Sequence, residues 1–177
     1  MYLYTKKGDR GKSLIGKNKI YKDNFILETL GELDELNSLL GVIKNYLKNY
    51  RTSLTQIQND LFIIQANISY LIYKKFIPPK LKKQKVEKLE KEISKIEKTI
   101  KLPQNFIIPG KEINSAWLHY ARTVIRRVER KIIRLSKRKK IEPTILIYLN
   151  RLSSYFYALA LKEVYQKKLS EDEPNYL

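Results

Sequence analysis

The chain has 177 residues, 43% of them hydrophobic, with 36 Lys and Arg against 18 Asp and Glu for a formal net charge of +18. That length and apolar content suit a single folded domain that buries about two thirds of its unfolded surface. The absence of cysteine excludes disulfides, thiolate metal sites and a cysteine nucleophile, and the positive charge points to anionic partners such as phosphate-rich small molecules or nucleic acid.

No apolar run approaches the ~20 residues of a membrane span. The stretch MYLYTKKGDR has no apolar signal core. A cytoplasmic protein without a membrane anchor is expected. Lysine runs such as KLKKQKVEKLEKEISKIEK (Lys80 to Lys98) read as solvated helix faces.

Residues 1–22 are rich in Gly and Lys and lack helical period, so they read as a strand-like or irregular segment. Within it KKGDRGKS (Lys6 to Ser13) ends as a P-loop does. A P-loop needs a glycine five residues before Gly11, between a buried strand and a helix. Lys6 occupies that position, and Leu-Ile-Gly after Ser13 does not start a helix. The phosphate-binding chemistry survives that failure. Gly8 and Gly11 let backbone N–H groups converge, Lys6, Lys7, Arg10 and Lys12 bring charge, and Ser13 brings a hydroxyl. A solvated basic turn is the other reading of the same residues.

From Asn24 the pattern becomes helical. Ile26, Leu30, Leu33, Leu36, Leu40, Ile43 and Leu47 recur at threes and fours, with Asp23 or Asn24 as cap. Leu54, Ile57, Leu61, Ile64, Ile68 and Leu71 form a second seam, ended by Ile77-Pro78-Pro79. Val86, Leu89, Ile93, Ile96 and Ile100 form a third. Prolines keep Lys101 to Glu112 from being helical throughout. A fourth helix is predicted from Glu112 to Lys137. A fifth starts near Pro143 and turns Ile145, Leu149, Leu152, Phe156 and Leu159 inward. The tail SEDEPNYL is polar and reads as frayed. The expected fold is all-α: a left-handed, up-down five-helix bundle over 23–169, preceded by the irregular nucleotide segment 1–22 and followed by the tail 170–177.

Three helical stretches carry polar residues that a core does not need. In GELDELNSLLG, residues Gly31, Asp34, Ser38 and Gly41 share one face, which suits a close approach by a backbone or ligand, or simply tight packing with Asp34 exposed. In ARTVIRRVERK, residues Arg122, Arg126 and Arg130 recur every four positions. Arg127 lies beside that row, and Glu129 stands three residues after Arg126. Guanidinium forks suit phosphate oxygens. In YLNRLSSYF, Asn150 follows the core residue Leu149 and serves either a ligand or packing.

Taken together, YTKKGDRGKS, YKDN at Tyr21, GELDELNSLLG, FIIPG at Phe106, LHYARTVIRRVER at Leu118 and YLNRLSSY at Tyr148 resemble the ATP:cob(I)alamin adenosyltransferases of the trimeric, five-helix type. The ordered set spans nearly the whole chain. The resemblance implies transfer of the 5′-deoxyadenosyl group of ATP to the cobalt of reduced cobalamin, with release of triphosphate. It implies a homotrimer with ATP between adjacent subunits and Mg²⁺ on the phosphates. It also implies dealings with a cobalamin reductase or a B12-dependent mutase. It assigns Thr5, Lys6, Lys7, Gly8, Lys12, Ser13 and Lys22 to ATP, together with Arg126, Arg127, Glu129, Arg130 and Asn150. It makes Asp34 and Arg122 an acid–arginine pair bridging two subunits, and Phe106 the aromatic residue that closes the lower cobalt face. His119 matches a family histidine and reads as a packing or hydrogen-bonding residue.

Three positions depart from the family pattern. Lys111 follows Gly110 where glycines are common, Trp117 stands at a usually small position, and Ser154 replaces a common acid. All three bear on corrinoid docking or the subunit contact rather than on ATP. Two other readings fit the same charge: a basic helical nucleic-acid-binding protein, and an ATP-binding sensor of this fold that transfers nothing.

Overall fold

A computed structural model describes residue 4, residue 6 and residues 8–176. Among them the elements are two short strands, β1 (Lys12–Ile15) and β2 (Asn18–Tyr21), and five helices: α1 (Phe25–Tyr46), α2 (Arg51–Tyr70), α3 (Lys83–Glu97), α4 (Ile113–Ser136) and α5 (Pro143–Gln166). A one-turn 3-10 helix, Lys48–Tyr50, links α1 to α2.

The predicted seams are the core. Leu33, Leu36, Leu40 and Ile43 of α1, Leu54, Leu61, Ile64 and Ile68 of α2, and Leu149, Leu152 and Phe156 of α5 are fully buried in one cluster. Local signals set the helix ends. The Asn24 side chain accepts the Ile26 N–H at 2.9 Å, Glu112 caps α4 by accepting the Ser115 N–H at 2.9 Å, and Pro143 opens α5. Each cap satisfies a donor that the helix itself leaves open.

Cross-helix polar contacts fix how the helices run. Lys131 pairs with Glu28 and Glu32, so the end of α4 lies beside the start of α1. Asn114 Nδ2 donates to Glu163 at 2.9 Å, so the start of α4 lies beside the end of α5. Sequence periodicity gave no hint of the buried acid in α2. Asp60 is 3% exposed; it accepts from Tyr148 of α5 at 3.0 Å and pairs with Lys85 of α3 at 3.0 Å. A buried carboxylate needs such partners, and here they tie three helices together.

Two end segments are more ordered than their sequences suggest. Residues 12–21, read as strand-like or irregular, form an antiparallel hairpin with Lys12 opposite Tyr21 and Ile15 opposite Asn18. Gly16 takes its first corner at φ 59, and the Tyr73 ring lies 2.6 Å from where a Cβ would stand. Only glycine fits that corner. Asn18 Nδ2 donates to the Ile72 carbonyl at 2.8 Å, seating the hairpin on the end of α2. The tail, read as frayed, instead pairs with the 101–112 link through an isolated antiparallel bridge between Ile108 and Asp172.

Candidate active site

The link between α3 and α4 cannot continue either helix because of Pro103 and Pro109, so it runs extended across one side of the bundle. With α4 and α5 it encloses an open cavity of about 1020 Å³. Phe106 from the link, His119, Arg122 and Arg126 from α4, and Ser154 and Tyr157 from α5 line it. The 3-4 spacing of 119, 122 and 126 puts those side chains on one α4 stripe.

Phe106 is 81% exposed at the cavity mouth, an apolar ring left largely open to solvent. Arg122 lies deeper. Its guanidinium carbon sits 5.6 Å from the Tyr157 ring centre, and its buried Nε has no acceptor among the described residues. Burial first, and then the neighbouring Arg126, hold its pKa below the usual guanidinium value, while Tyr157 opposes the shift. A buried donor left unpaired costs ~1–3 kcal/mol.

His119 is 3% exposed, and neither ring nitrogen has a hydrogen-bond partner among the described residues. It packs against Tyr157 at 5.8 Å between ring centres. Packing and hydrogen bonding were the two roles open to it from sequence, and among the described residues its contact is this ring packing. Burial first, then Arg122, push its pKa from 6.5 down to about 4. Between those values the unfolded chain takes up a proton that the folded chain refuses. Stability from this group is complete above pH 6.5 and is lost as pH falls toward 4. His119→Gln is expected to flatten that acid-side loss in denaturant unfolding series; an unchanged slope would show that another group is responsible.

The arginine row divides. Arg126 and Arg130 are exposed and make no ion pair among the described residues. Arg127 turns to α1, where Glu32 and Glu35 accept its guanidinium; those hydrogen bonds raise its pKa despite an opposing desolvation. Glu129 does not hold Arg126, as its spacing suggested. It accepts instead from Asn150 Nδ2 at 3.1 Å, and Asn150 Oδ1 accepts from Arg151 at 2.8 Å. The cross-helix partner wins because α4 and α5 lie in contact along their length. Asp34 is exposed on α1 and makes no bond to Arg122 within the chain among the described residues.

In the leading segment, Thr5 and Lys7 lie outside the described residues. Lys6 has a positive φ of 55, and Gly11 one of 70. The Gly11 N–H reaches the Gly8 carbonyl at 3.2 Å, closing a tight turn. Lys22 reaches back over Gly8, its Nζ 3.4 Å from where a Cβ would stand. Lys12 lies 4.5 Å over the Tyr21 ring, and Ser13 pairs with Ile20 in the ladder. Folding thus brings Lys22 beside Gly8 at the open end of the hairpin ladder. Among the described residues, no hydrogen bond, ion pair or cavity wall joins this hairpin to Arg122, Arg126 or Arg130.

The profile of the cobalamin adenosyltransferase family matches residues 3–163. The chain belongs to the cobalamin adenosyltransferase family. It is 36% identical over 166 residues to a corrinoid adenosyltransferase of Bacillus subtilis, covering 90% of this chain and 85% of that one. It is 32% identical over 169 residues to the corrinoid adenosyltransferase PduO of Salmonella typhimurium, spanning 92% of its own length but 50% of that relative's. Among solved structures, a phenylalanine-to-alanine variant of the PduO-type ATP:corrinoid adenosyltransferase from Lactobacillus reuteri, complexed with cobalamin and ATP, superposes with a TM-score of 0.90 at 30% identity over 98% of this chain and 99% of that one. An arginine-to-lysine variant of the Lactobacillus reuteri protein, complexed with ATP, gives a TM-score of 0.85 at 31% identity, over 98% of this chain and 100% of that one.

In this member of the cobalamin adenosyltransferase family the cavity also uses residues that sequence reading passed over. Tyr157 lies seven residues after Asn150, two helical turns along the same α5 stripe, so its position was legible. Glu173, Pro174 and Tyr176 of the tail also line the cavity, and nothing in a polar tail signals that. No helix among the described residues is long and apolar enough to cross a membrane.

Proposed function

We propose that residues 1–177 act as one adenosyltransferase domain. ATP lies between two copies of the chain, and cob(I)alamin enters the cavity beneath Phe106. The observation that carries this reading is the separation of charge within one copy. Arg126 and Arg130 stand unpaired on α4 among the described residues, while Lys22 lies over Gly8 and Lys12 over Tyr21 at the open end of the hairpin, with no hydrogen bond or ion pair joining the two sets among the described residues. A second copy brings the two sets together on one polyphosphate. Its Asp34 then supplies the acceptor that the buried Nε of Arg122 lacks among the described residues.

The chemistry asks little of the protein beyond placement and charge. Cobalt(I) attacks C5′ of ATP with its own electron pair. The carbon–oxygen bond breaks, and triphosphate leaves with that bond's electrons. No protein base or covalent nucleophile takes part. Preorganised cations stabilise the charge growing on the leaving group, and alignment of cobalt with C5′ replaces an encounter from solution. Thr5, Lys6, Lys7, Gly8, Lys12, Ser13 and Lys22 of one copy, with Arg126, Arg130 and Asn150 of the next, are the nucleotide contacts. Glu129 orients Asn150 through the bond between them. Arg127 acts from further back, joining α4 to α1. Mg²⁺ is held by the phosphates and offsets their charge. A closed homotrimer in the cytoplasm completes every site, with a reductase supplying cobalt(I) and a B12-dependent mutase taking the product.

The test mixes two inactive variants, Arg126→Ala and Lys12→Glu, in one assembly. Some sites then receive an intact hairpin from one copy and an intact arginine face from another. Activity is expected to rise well above either variant alone. Verified mixed assemblies that stay inactive would overturn the shared site.

A further inference from the structure

We infer that residues 171–174 clasp the loop that carries Phe106, so the C-terminal tail positions the corrinoid side of the site. This rests on the assignment of Phe106 to the lower cobalt face. Three contacts bracket that ring. One residue before it, Asn105 Nδ2 donates to both Glu173 carboxylate oxygens at 3.1 and 3.0 Å. Two residues after it, the Ile108 N–H donates to the Asp172 carbonyl at 2.7 Å. Five residues after it, Lys111 Nζ meets Asp172 Oδ1 at 2.7 Å. Glu173, Pro174 and Tyr176 line the same cavity as Phe106.

The loop needs this hold, because its own residues do not bury the exposed ring. Lys111 now has a role: where relatives often carry glycine, this chain has a side chain long enough to reach the tail. The clasp is also weak enough to open. The Lys111 and Asp172 side chains are 31% and 57% exposed, and such a pair is worth at most ~1 kcal/mol. Glu171 opposes closure, since both of its carboxylate oxygens are buried without a partner among the described residues. Burial and the adjacent Asp172 raise its pKa, and Lys111 lowers it.

Asp172→Lys combined with Glu173→Lys sets two cations against Lys111 and removes the acceptor for Asn105. Deuterium exchange at the Ile108 amide, read on the full chain, is expected to quicken about fivefold or more. The kcat/KM for cob(I)alamin is expected to fall about fivefold, the kinetic equivalent of ~1 kcal/mol, with that for ATP little changed. Adding Lys111→Asp restores opposite charges and is expected to recover most of the loss, which a general loss of folding would not permit. Unchanged Ile108 exchange would show that the tail does not clasp the loop. Faster exchange with unaltered cobalamin kinetics would show that the clasp positions nothing. The exchange measurement needs no corrinoid, so it stands even if Phe106→Ala shows the cobalt-face assignment to be wrong.

Discussion

Arg126→Ala is expected to lose adenosylcobalamin formation by about 10²–10³-fold, the scale seen when one preorganised donor to a developing anion is removed. The side chain is exposed, has no ion pair among the described residues, and lines the cavity wall. Folding therefore gains little from it, and the change in stability is expected to stay within about 0.5 kcal/mol. The large effect on rate with a small effect on unfolding is what separates a ligand contact from a structural one. Arg126→Lys keeps the charge but loses the planar fork, so it is expected to fall between the two. The checks are ATP-saturated turnover with chemically reduced cobalamin and a thermal melt. Turnover within tenfold of the parent, in a folded protein, would remove Arg126 from the site.

Phe106→Ala is the second large effect. With 81% of Phe106 exposed, the bundle loses almost nothing when the ring goes. A bound corrinoid loses an apolar wall: fully burying a phenylalanine is worth ~1.5–3 kcal/mol, or about 10–100-fold in kcat/KM for cobalamin. Water and the lower axial ligand then regain access to cobalt, so reduction becomes harder as well. The expected result is a drop in cobalamin turnover with ATP binding preserved, and a smaller fraction of bound cob(II)alamin lacking its lower ligand in the visible spectrum. If both the spectrum and the turnover match the parent, the ring does not face cobalt.

These two residues were singled out from sequence for different reasons. Arg126 belongs to a four-residue repeat among apolar positions, and a helix converts that spacing directly into a shared face. Phe106 stands out only as part of the FIIPG stretch, through resemblance; no periodicity marks it. Arg127 is placed by the fold rather than by its spacing. It has the same residue type, helix and neighbourhood as Arg126, yet one position around the helix, about 100 degrees, moves it from the cavity to Glu32 and Glu35 on α1. Glu129 makes the same point, since its spacing suggested Arg126 and the fold gave it Asn150.

The sequence alone determined the five helices, their buried seams, a first-helix cap at Asp23 or Asn24, and the stock of cations available for an anionic substrate. These depend on intervals of three or four residues and on side chains that bond within one turn. Only the tertiary structure decided the seat of the hairpin on α2, the Asp60–Tyr148–Lys85 tie across three helices, the division of the arginine row, and the fastening of the tail to the Phe106 loop. Each joins residues far apart in the chain. Such a pairing depends on which surfaces the buried seams bring together, and local periodicity carries no record of that choice.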